Sequence, residues 1–580
     1  MIDALVSEAT KKNWKRLGLN QEEISKKLSS RANKLNSIKR FIPKEYLKNK
    51  KNSKCVEDIV NYSLQKNLSI DCVIYNLALN LLELNNLIKF DNNVYSENKY
   101  LLEILNNFSD KNIDKYLLSI DIPHDEEDFL GIIYQSLMSE GNKNKQGSYY
   151  TPKPIIDYLL NDLKKEDLFL DPCCGTGSFL ISASKIVDNP EKIFGFDIDN
   201  VACFISKINL IIFFKDKMFN PNVYNFDFMS DKVLEKFKDK KFDFISTNPP
   251  WGAKFKNINS EKLCYKESFS LCIFQSKNLL KNNGFCSFLL PKSILNIKAH
   301  KNIREYILEN FFVQEIKMYG KPFSGVLTDV ISLKLSKNLH QKDVKIIENK
   351  IVKNVCVSAF KENKNKKFML IDNKDLGVIK HVFNIPHTNL KKSIWGLGIV
   401  TGNNPKYISN TKSIGEKIYT GKEISKYNIL DTNRYINYDR KSFQQTAPDA
   451  IYRADEKLVY KFISRELVFA YDNEKKLFLN SANILIPRVD THSVFTVMAF
   501  LNSKLFSYLY KIMFDDLKIL RGNLEELPFP LLDKKVKKEL ENYVKIYLKN
   551  KDNETLKNID NIVFKAFDLN KNYTKIIDKN

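Results

Sequence analysis

LFLDPCCGTGSFLISASKI, residues 168–186, decides how the rest of the chain is read. Apolar residues run into Asp171, two glycines flank Thr176, and an apolar stretch follows. That order predicts a buried strand, a tight loop and a helix. Gly175 and Gly177 give the loop a backbone without Cβ atoms, so a ligand can come close. A helix starting at about Ser178 leaves its first backbone N–H groups unpaired within the helix and turned toward the same place. A single G-x-G occurs in loops of every kind, so the weight lies in what comes next.

What comes next is repetition. KIFGFDID predicts a second strand ending in Asp197, 26 residues beyond Asp171, where a carboxylate can accept both hydroxyls of a ribose. NVYNFDFM carries Asp227, and FDFIST runs into Asn248. Four successive strands thus have a polar residue at the carboxyl end, the edge at which open α/β sheets bind ligands. Helix capping explains any one of these residues, but the four together read as a site. Cys173 and Cys174 lie inside the glycine loop and read as small packing residues, not as a Pro-Cys nucleophile.

Beyond FDFIST the chain reads NPPW, residues 248–251. Two prolines in succession end a hydrogen-bonded strand and fix two φ angles. The rigid turn offers two acceptors, the side-chain carbonyl of Asn248 and the main-chain carbonyl of Pro249, with Pro250 holding the shape. Trp251 offers a flat face on which a base can stack. An exocyclic amine on adenine is a poor nucleophile because its lone pair is delocalised into the ring. Acceptors for both of its N–H groups favour the geometry in which the nitrogen attacks. The plain alternative is a proline turn with a packing tryptophan. The preceding glycine loop and acidic strand ends favour the reactive reading.

Composition agrees with a large folded protein. The chain has 580 residues, 43% hydrophobic and 12% aromatic, which predicts two to four domains. A net charge of +23 favours acidic partners such as nucleic acid, although Lys, Asn and Ile abound throughout, as in an AT-rich coding sequence. The apolar run INLIIFF is far too short to span a bilayer, so no membrane partner is expected. MIDALVSEATKK lacks a signal-peptide core, and a cytoplasmic location is expected. Nine cysteines without a C-x-x-C pair read as reduced, with no metal site.

Along the chain, residues 1–140 read as helical, with clear periodicity in VEDIVNYSLQ and CVIYNLALNLLELNNLI. The basic stretch ANKLNSIKRFIPKEYLKNKKNSK reads as a solvated face or a phosphate contact. Strands and helices alternate from about 145 to 340, the pattern of a parallel α/β sheet. From about 385, strand-like pieces such as KLVYKFI and ELVFAYD mix with Gly, Asn and Pro turns, and a Lys-rich helical end follows.

These motifs resemble the amino-group DNA methyltransferases, in particular the gamma-class N6-adenine enzymes of type II restriction–modification systems. The resemblance covers residues 125 to 530, and the cofactor-then-catalysis-then-recognition order is that of the gamma class. It implies S-adenosylmethionine as methyl donor, double-stranded DNA as substrate and a separate cognate restriction endonuclease as partner. EDFLGIIYQSL and QGSYYTPKPIIDYLL resemble the first cofactor motif, with Tyr150, Thr151 and Pro152 flanking the cofactor. Asp171, Gly175 and Gly177 would surround its methionine part. Asp197 would take the ribose and Ile198 pack on the adenine ring. Asp227 would accept the adenine amine and Phe228 stack near it. NPPW would be catalytic, with Trp251 where the family most often has Tyr. In IKMYGKPFSGVLTDVISLKL, after the sixth strand, Phe323 would sandwich the target base with Trp251. WGLGIVTGNNPKYI, NSANILIP, FLNSKLFSYLY and LRGNLEELPFP resemble target recognition domains.

The expected fold is therefore α/β, a Rossmann-like methyltransferase sheet at 141–345, with an N-terminal helical domain at 1–140. A C-terminal α+β target recognition domain is expected at 385–535 and a helical segment at 536–580. Three alternatives compete. A fused nuclease would use Asp91 with Glu97-Asn98-Lys99, though that stretch reads as surface charge. Methylation of RNA or of protein glutamine uses similar motifs, but some 240 residues beyond the catalytic region favour DNA. A catalytically dead binding protein is opposed by the intact set of strand-end residues.

Overall fold

In the computed structural model, residues 47–579 are described except 92, 124, 140–149, 252–266, 324–327, 338–342, 362, 364, 412–414 and 515–516. The basic stretch before residue 47 lies outside them. The chain forms two compact units, residues 1–368 and 369–580.

The first unit is built on a mixed sheet with nine strands among the described residues. They are β1 (Phe169–Asp171), β2 (Ile193–Asp197), β3 (Asn222–Asn225), β4 (Phe242–Thr247), β5 (Leu280–Pro291), β6 (Phe312–Gly320), β7 (Val330–Ser336), β8 (Asp343–Glu348) and β9 (Ile351–Cys356). Their order in space is β3-β2-β1-β4-β5-β7-β6-β8-β9. β3, β2, β1, β4 and β5 run parallel to one another, and β7 lies antiparallel between β5 and β6. β1 and β2 read as continuous apolar runs because parallel strands in a central position are covered on both faces. β8 and β9 carry the sheet to Cys356, eleven residues past the boundary that the sequence suggested at 345.

Six helices position the site: α1 (Ser53–Gln65), α2 (Ile70–Leu84), α3 (Phe129–Leu137), α4 (Lys153–Leu159), α5 (Ser178–Ser184) and α6 (Asn200–Phe213). Ser69 caps α2, Asp128 caps α3 and Asp199 caps α6, each accepting a first-turn backbone N–H. INLIIFF ends α6, with Ile208, Leu210 and Ile211 buried and Phe213 exposed. Among the described residues, no helix is long and apolar enough to cross a membrane. One hydrophobic core runs from Leu47 through α1, α2 and α3 into the sheet and on to Val330. The helices before residue 140 are thus part of the sheet's own unit, where the sequence suggested a separate domain. The nuclease-like residues fall on a short hairpin, Lys89–Asp91 with Asn93–Tyr95, and on the next helix, whose N-cap is Asn98. Asp91, Glu97 and Lys99 are exposed there, and capping accounts for Asn98.

The second unit holds small sheets. Ile394–Leu397, Ala482–Ile486, Lys457–Lys461 and Phe469–Asp472 pair antiparallel in that order. The pieces KLVYKFI and ELVFAYD are neighbours in this sheet. Helices Val494–Asn502, Lys504–Phe514, Lys534–Asn550 and Asn553–Ala566 complete the unit. Lys457 and Asp472 stand directly opposite each other and form a fully buried ion pair, 2.6 Å apart.

Candidate active site

The parallel strands bring the four polar ends to one edge. β1 ends at Asp171 and β2 at Asp197, while Asn248 follows β4 and Asp227 stands two residues past β3. They are not equivalent. Asp171 is fully buried, and its Oδ1 accepts the Cys173 N–H at 3.1 Å. Burial pushes its carboxyl up to about 7, against the Thr247 hydroxyl and the Cys173 N–H. It anchors the loop from within the sheet. Asp227 is exposed and accepts the Met229 N–H.

The glycine loop closes against β2. Gly175 donates its N–H to Asp197 Oδ2 at 2.8 Å, and its carbonyl accepts from the Ser206 hydroxyl at 2.8 Å. Asp197 Oδ1 accepts the Asp199 N–H. Burial pushes Asp197 up to about 6, with those backbone donors opposing it. Gly175 has φ +53°, and a Cβ built there meets nothing within 4 Å, so the loop borders open space. Gly177 has φ +95°, and its Cβ would come within 3.2 Å of the Ser206 Cα. One glycine faces the open edge and the other faces α6. Beside that space, Ile198 is 67% exposed. Phe228 turns inward, 2% exposed and stacked on Phe196. The exposed apolar face at this edge is therefore Ile198. Open space at Gly175, an acidic strand end and an exposed Ile198 fit a nucleoside with an attached amino acid, such as S-adenosylmethionine.

Cys173 is held beside Cys272, and that contact together with burial pushes its thiol well above the ordinary value. A thiol so held stays protonated and is no nucleophile.

The stretch before β1 joins the glycine loop to the NPPW turn. Thr151, 4% exposed, accepts from Asn248 Nδ2 at 3.1 Å. That bond assigns the amide nitrogen to Thr151 and turns Oδ1 elsewhere. The neighbouring Tyr150 hydroxyl meets Asp128 and Ser178, and Pro152 starts α4. Trp251 and Phe323 come together edge to face, ring centroids 5.7 Å apart at 75°. Phe323 is 4% exposed, so the two rings touch each other and leave no parallel slot between them.

Asp128 was not among the expected site residues. Its buried carboxyl accepts from Thr176 Oγ1 at 2.9 Å, Asn209 Nδ2 at 2.7 Å, the Gly131 N–H at 3.1 Å and Ser178 Oγ at 3.3 Å. Asn209 also donates to the Thr176 carbonyl. Burial pushes Asp128 up to about 6, against these donors. The glycine loop is thereby tied to α3 and α6. The available signal was a D-x-x-G step opening the apolar α3, which marks a helix cap but not a distant loop.

The chain matches the N-6 DNA Methylase family over residues 125–387 and the TaqI-like C-terminal specificity domain over residues 416–529. It is similar to the Type II methyltransferase M.VspI of Vibrio sp. (strain 343), 35% identical over 315 residues, covering 51% of this chain and 75% of that protein. It is 28% identical over 189 residues to the Modification methylase CviBIII of Paramecium bursaria Chlorella virus NC1A, covering 30% of this chain and 45% of that protein. Its fold is similar to the structure of the Type IIL restriction-modification enzyme MmeI in complex with DNA. There the TM-score is 0.55 at 12% identity, over 91% of this chain and 94% of that one.

Proposed function

The chain belongs to the N-6 DNA methylase family, and from that footing we propose that it methylates N6 of adenine at a specific site in double-stranded DNA. The observation that carries the reading is the Asn248 amide, fixed by Thr151 at the end of β4, beside a glycine loop that borders open space. Bound S-adenosylmethionine supplies an electrophilic methyl group on a positively charged sulfur. Asp197 and Ile198 would hold its ribose and adenine, Asp227 the adenine amine, and Gly175 and Gly177 its methionine part. Asp171 and Tyr150 support the loop that does so.

A base inside a duplex cannot present its amine at a sheet edge, so the target adenine is rotated out of the stack. Asn248 Oδ1 and the Pro249 carbonyl accept from its amine, replacing the pairing it has lost and aligning its lone pair. Trp251 replaces lost stacking. Phe323 supplies a second face once the base has parted the two rings. With Cys173 protonated, transfer proceeds without a covalent enzyme intermediate. The second unit would read the target sequence, and the net charge of +23 would draw DNA in through phosphate contacts. The role is modification in a gamma-class restriction–modification system, with a separate cognate endonuclease cutting unmodified DNA.

Methylation-sensitive sequencing of DNA from cells expressing the chain tests this. N6-methyladenine at one recurring sequence is the expected result. Unmodified adenines beside methylated cytosine N4, or no DNA methylation at all, would overturn it.

A further inference from the structure

Beyond β4, the helix α7 (Ser268–Leu279) packs behind the site, and three of its side chains point one way. Ser268, Cys272 and Gln275 are spaced i, i+4 and i+7, which puts them on one helix face. All three are at most 1% exposed. Each touches a different part of the site. The Ser268 hydroxyl donates to the Pro250 carbonyl, one peptide beyond the carbonyl assigned to the target amine. Cys272 meets the Cys173 thiol of the glycine loop. Gln275 Nε2 donates to the Ser230 carbonyl at 3.1 Å. Ser230 in turn closes on Asp227, donating both its N–H and its hydroxyl to the Asp227 carbonyl, at 3.0 and 2.7 Å.

We propose that α7 is the rigid spacer that sets the target-amine acceptors at a fixed distance from the cofactor loops, with Ser268 and Gln275 as positioning residues at its two ends. The physical ground is a shared anchor: two of the loops keep single backbone bonds to β2, Cys174 N–H to the Phe196 carbonyl and Phe226 N–H to the Asp197 carbonyl, both at 2.9 Å, while α7 reaches all three. Each loop is tied in addition to a side chain of this one helix. A helix changes length little, because every backbone bond is internal. Gln275 Oε1 has no partner among the described residues, so Nε2 carries the amide's anchoring alone. The two ends should fail differently. Loss at Ser268 frees the catalytic turn. Loss at Gln275 frees the Asp227 loop.

This inference rests on the proposed function, and the experiment separates the two. The full-length chain is assayed for transfer of tritium from labelled S-adenosylmethionine to unmethylated bacteriophage DNA in single turnover. Cofactor affinity is read separately by calorimetry. Ser268→Ala should slow single-turnover transfer about tenfold or more, the loss of one orienting hydrogen bond, with cofactor Kd within about twofold. Ser268→Thr, which keeps the hydroxyl, should restore most of the rate. Gln275→Leu should raise the cofactor Kd about tenfold, with a rate deficit that shrinks as cofactor saturates. Wild-type rate in Ser268→Ala, or equal losses of rate and affinity in both variants, would overturn the spacer. If the wild-type chain transfers nothing to DNA, the proposed function falls and calorimetry alone decides. A weakened Kd in Gln275→Leu but not in Ser268→Ala then keeps the spacer, and any other pattern removes it.

Discussion

The two units place their polar residues by opposite rules. In the first, a parallel sheet gathers Asp171, Asp197, Asp227 and Asn248 at one edge because consecutive strands point the same way. In the second, antiparallel pairing sends alternate strand ends to opposite sides, and the charges that matter most to the sheet are hidden in it. Lys457 opens its strand and Asp472 closes the next, and hairpin register alone makes them meet. Lys457 also donates to the Tyr452 carbonyl at 2.7 Å. A parallel sheet exports polar side chains to a working edge, while this antiparallel one spends a matched pair on its own interior.

The sharpest way to break that contrast is at the ion pair. Lys457→Met should cost the second unit about 3–5 kcal/mol, because Asp472 is left as an unpaired buried charge. Thermal unfolding should show the loss, while calorimetry shows cofactor affinity held in the first unit. A parallel fall in both would mean that the units do not behave separately. Next comes Asn248→Ala, which should lower single-turnover methylation about 10²–10³-fold with cofactor affinity retained, since the bond matters most as the amine attacks. Retained activity would reduce NPPW to a turn. The smallest effect sharpens the comparison within one loop. Gly175→Ala and Gly177→Ala each meet about 1–2 kcal/mol of left-handed backbone strain. Only the Gly177 Cβ also presses on the Ser206 backbone, so its melting temperature should fall further. Gly175→Ala should be the one that loses more cofactor affinity, because its Cβ enters the open space.

The strand ends were legible in the sequence because they depend on local order: an apolar run, then a polar residue, then a turn. The NPPW turn was legible for the same reason. What holds these parts was not. Thr151 was expected against the cofactor, and its bond to Asn248, 97 residues away, was not foreseen. Asp128 reaches Asn209 across 81 residues, and Ser268 reaches Pro250 from a later helix. No spacing rule links such pairs, because the fold decides which loops become neighbours. The shared core of the N-terminal helices and the sheet was hidden likewise: periodicity shows that a helix has an apolar face but not what the face covers. Nothing in KLVYKFI marks Lys457 for burial, and only the register opposite Asp472 reveals it.

The contacts of Asp128 also impose a schedule on synthesis. A ribosome delivers the chain from its N-terminus, and domains fold as their parts become available. The carboxyl that ties down Thr176 and Ser178 leaves early, and so does the glycine loop itself. The Asn209 amide that completes the cluster arrives a further 33 residues after Thr176. β1 is then still missing one neighbour, since β4 at Phe242–Thr247 has yet to emerge. Until then a buried-to-be carboxyl and an unpaired strand edge stand in water, the condition under which nascent chains associate wrongly. The glycine loop is therefore synthesised well before the residues and the strand that complete its surroundings.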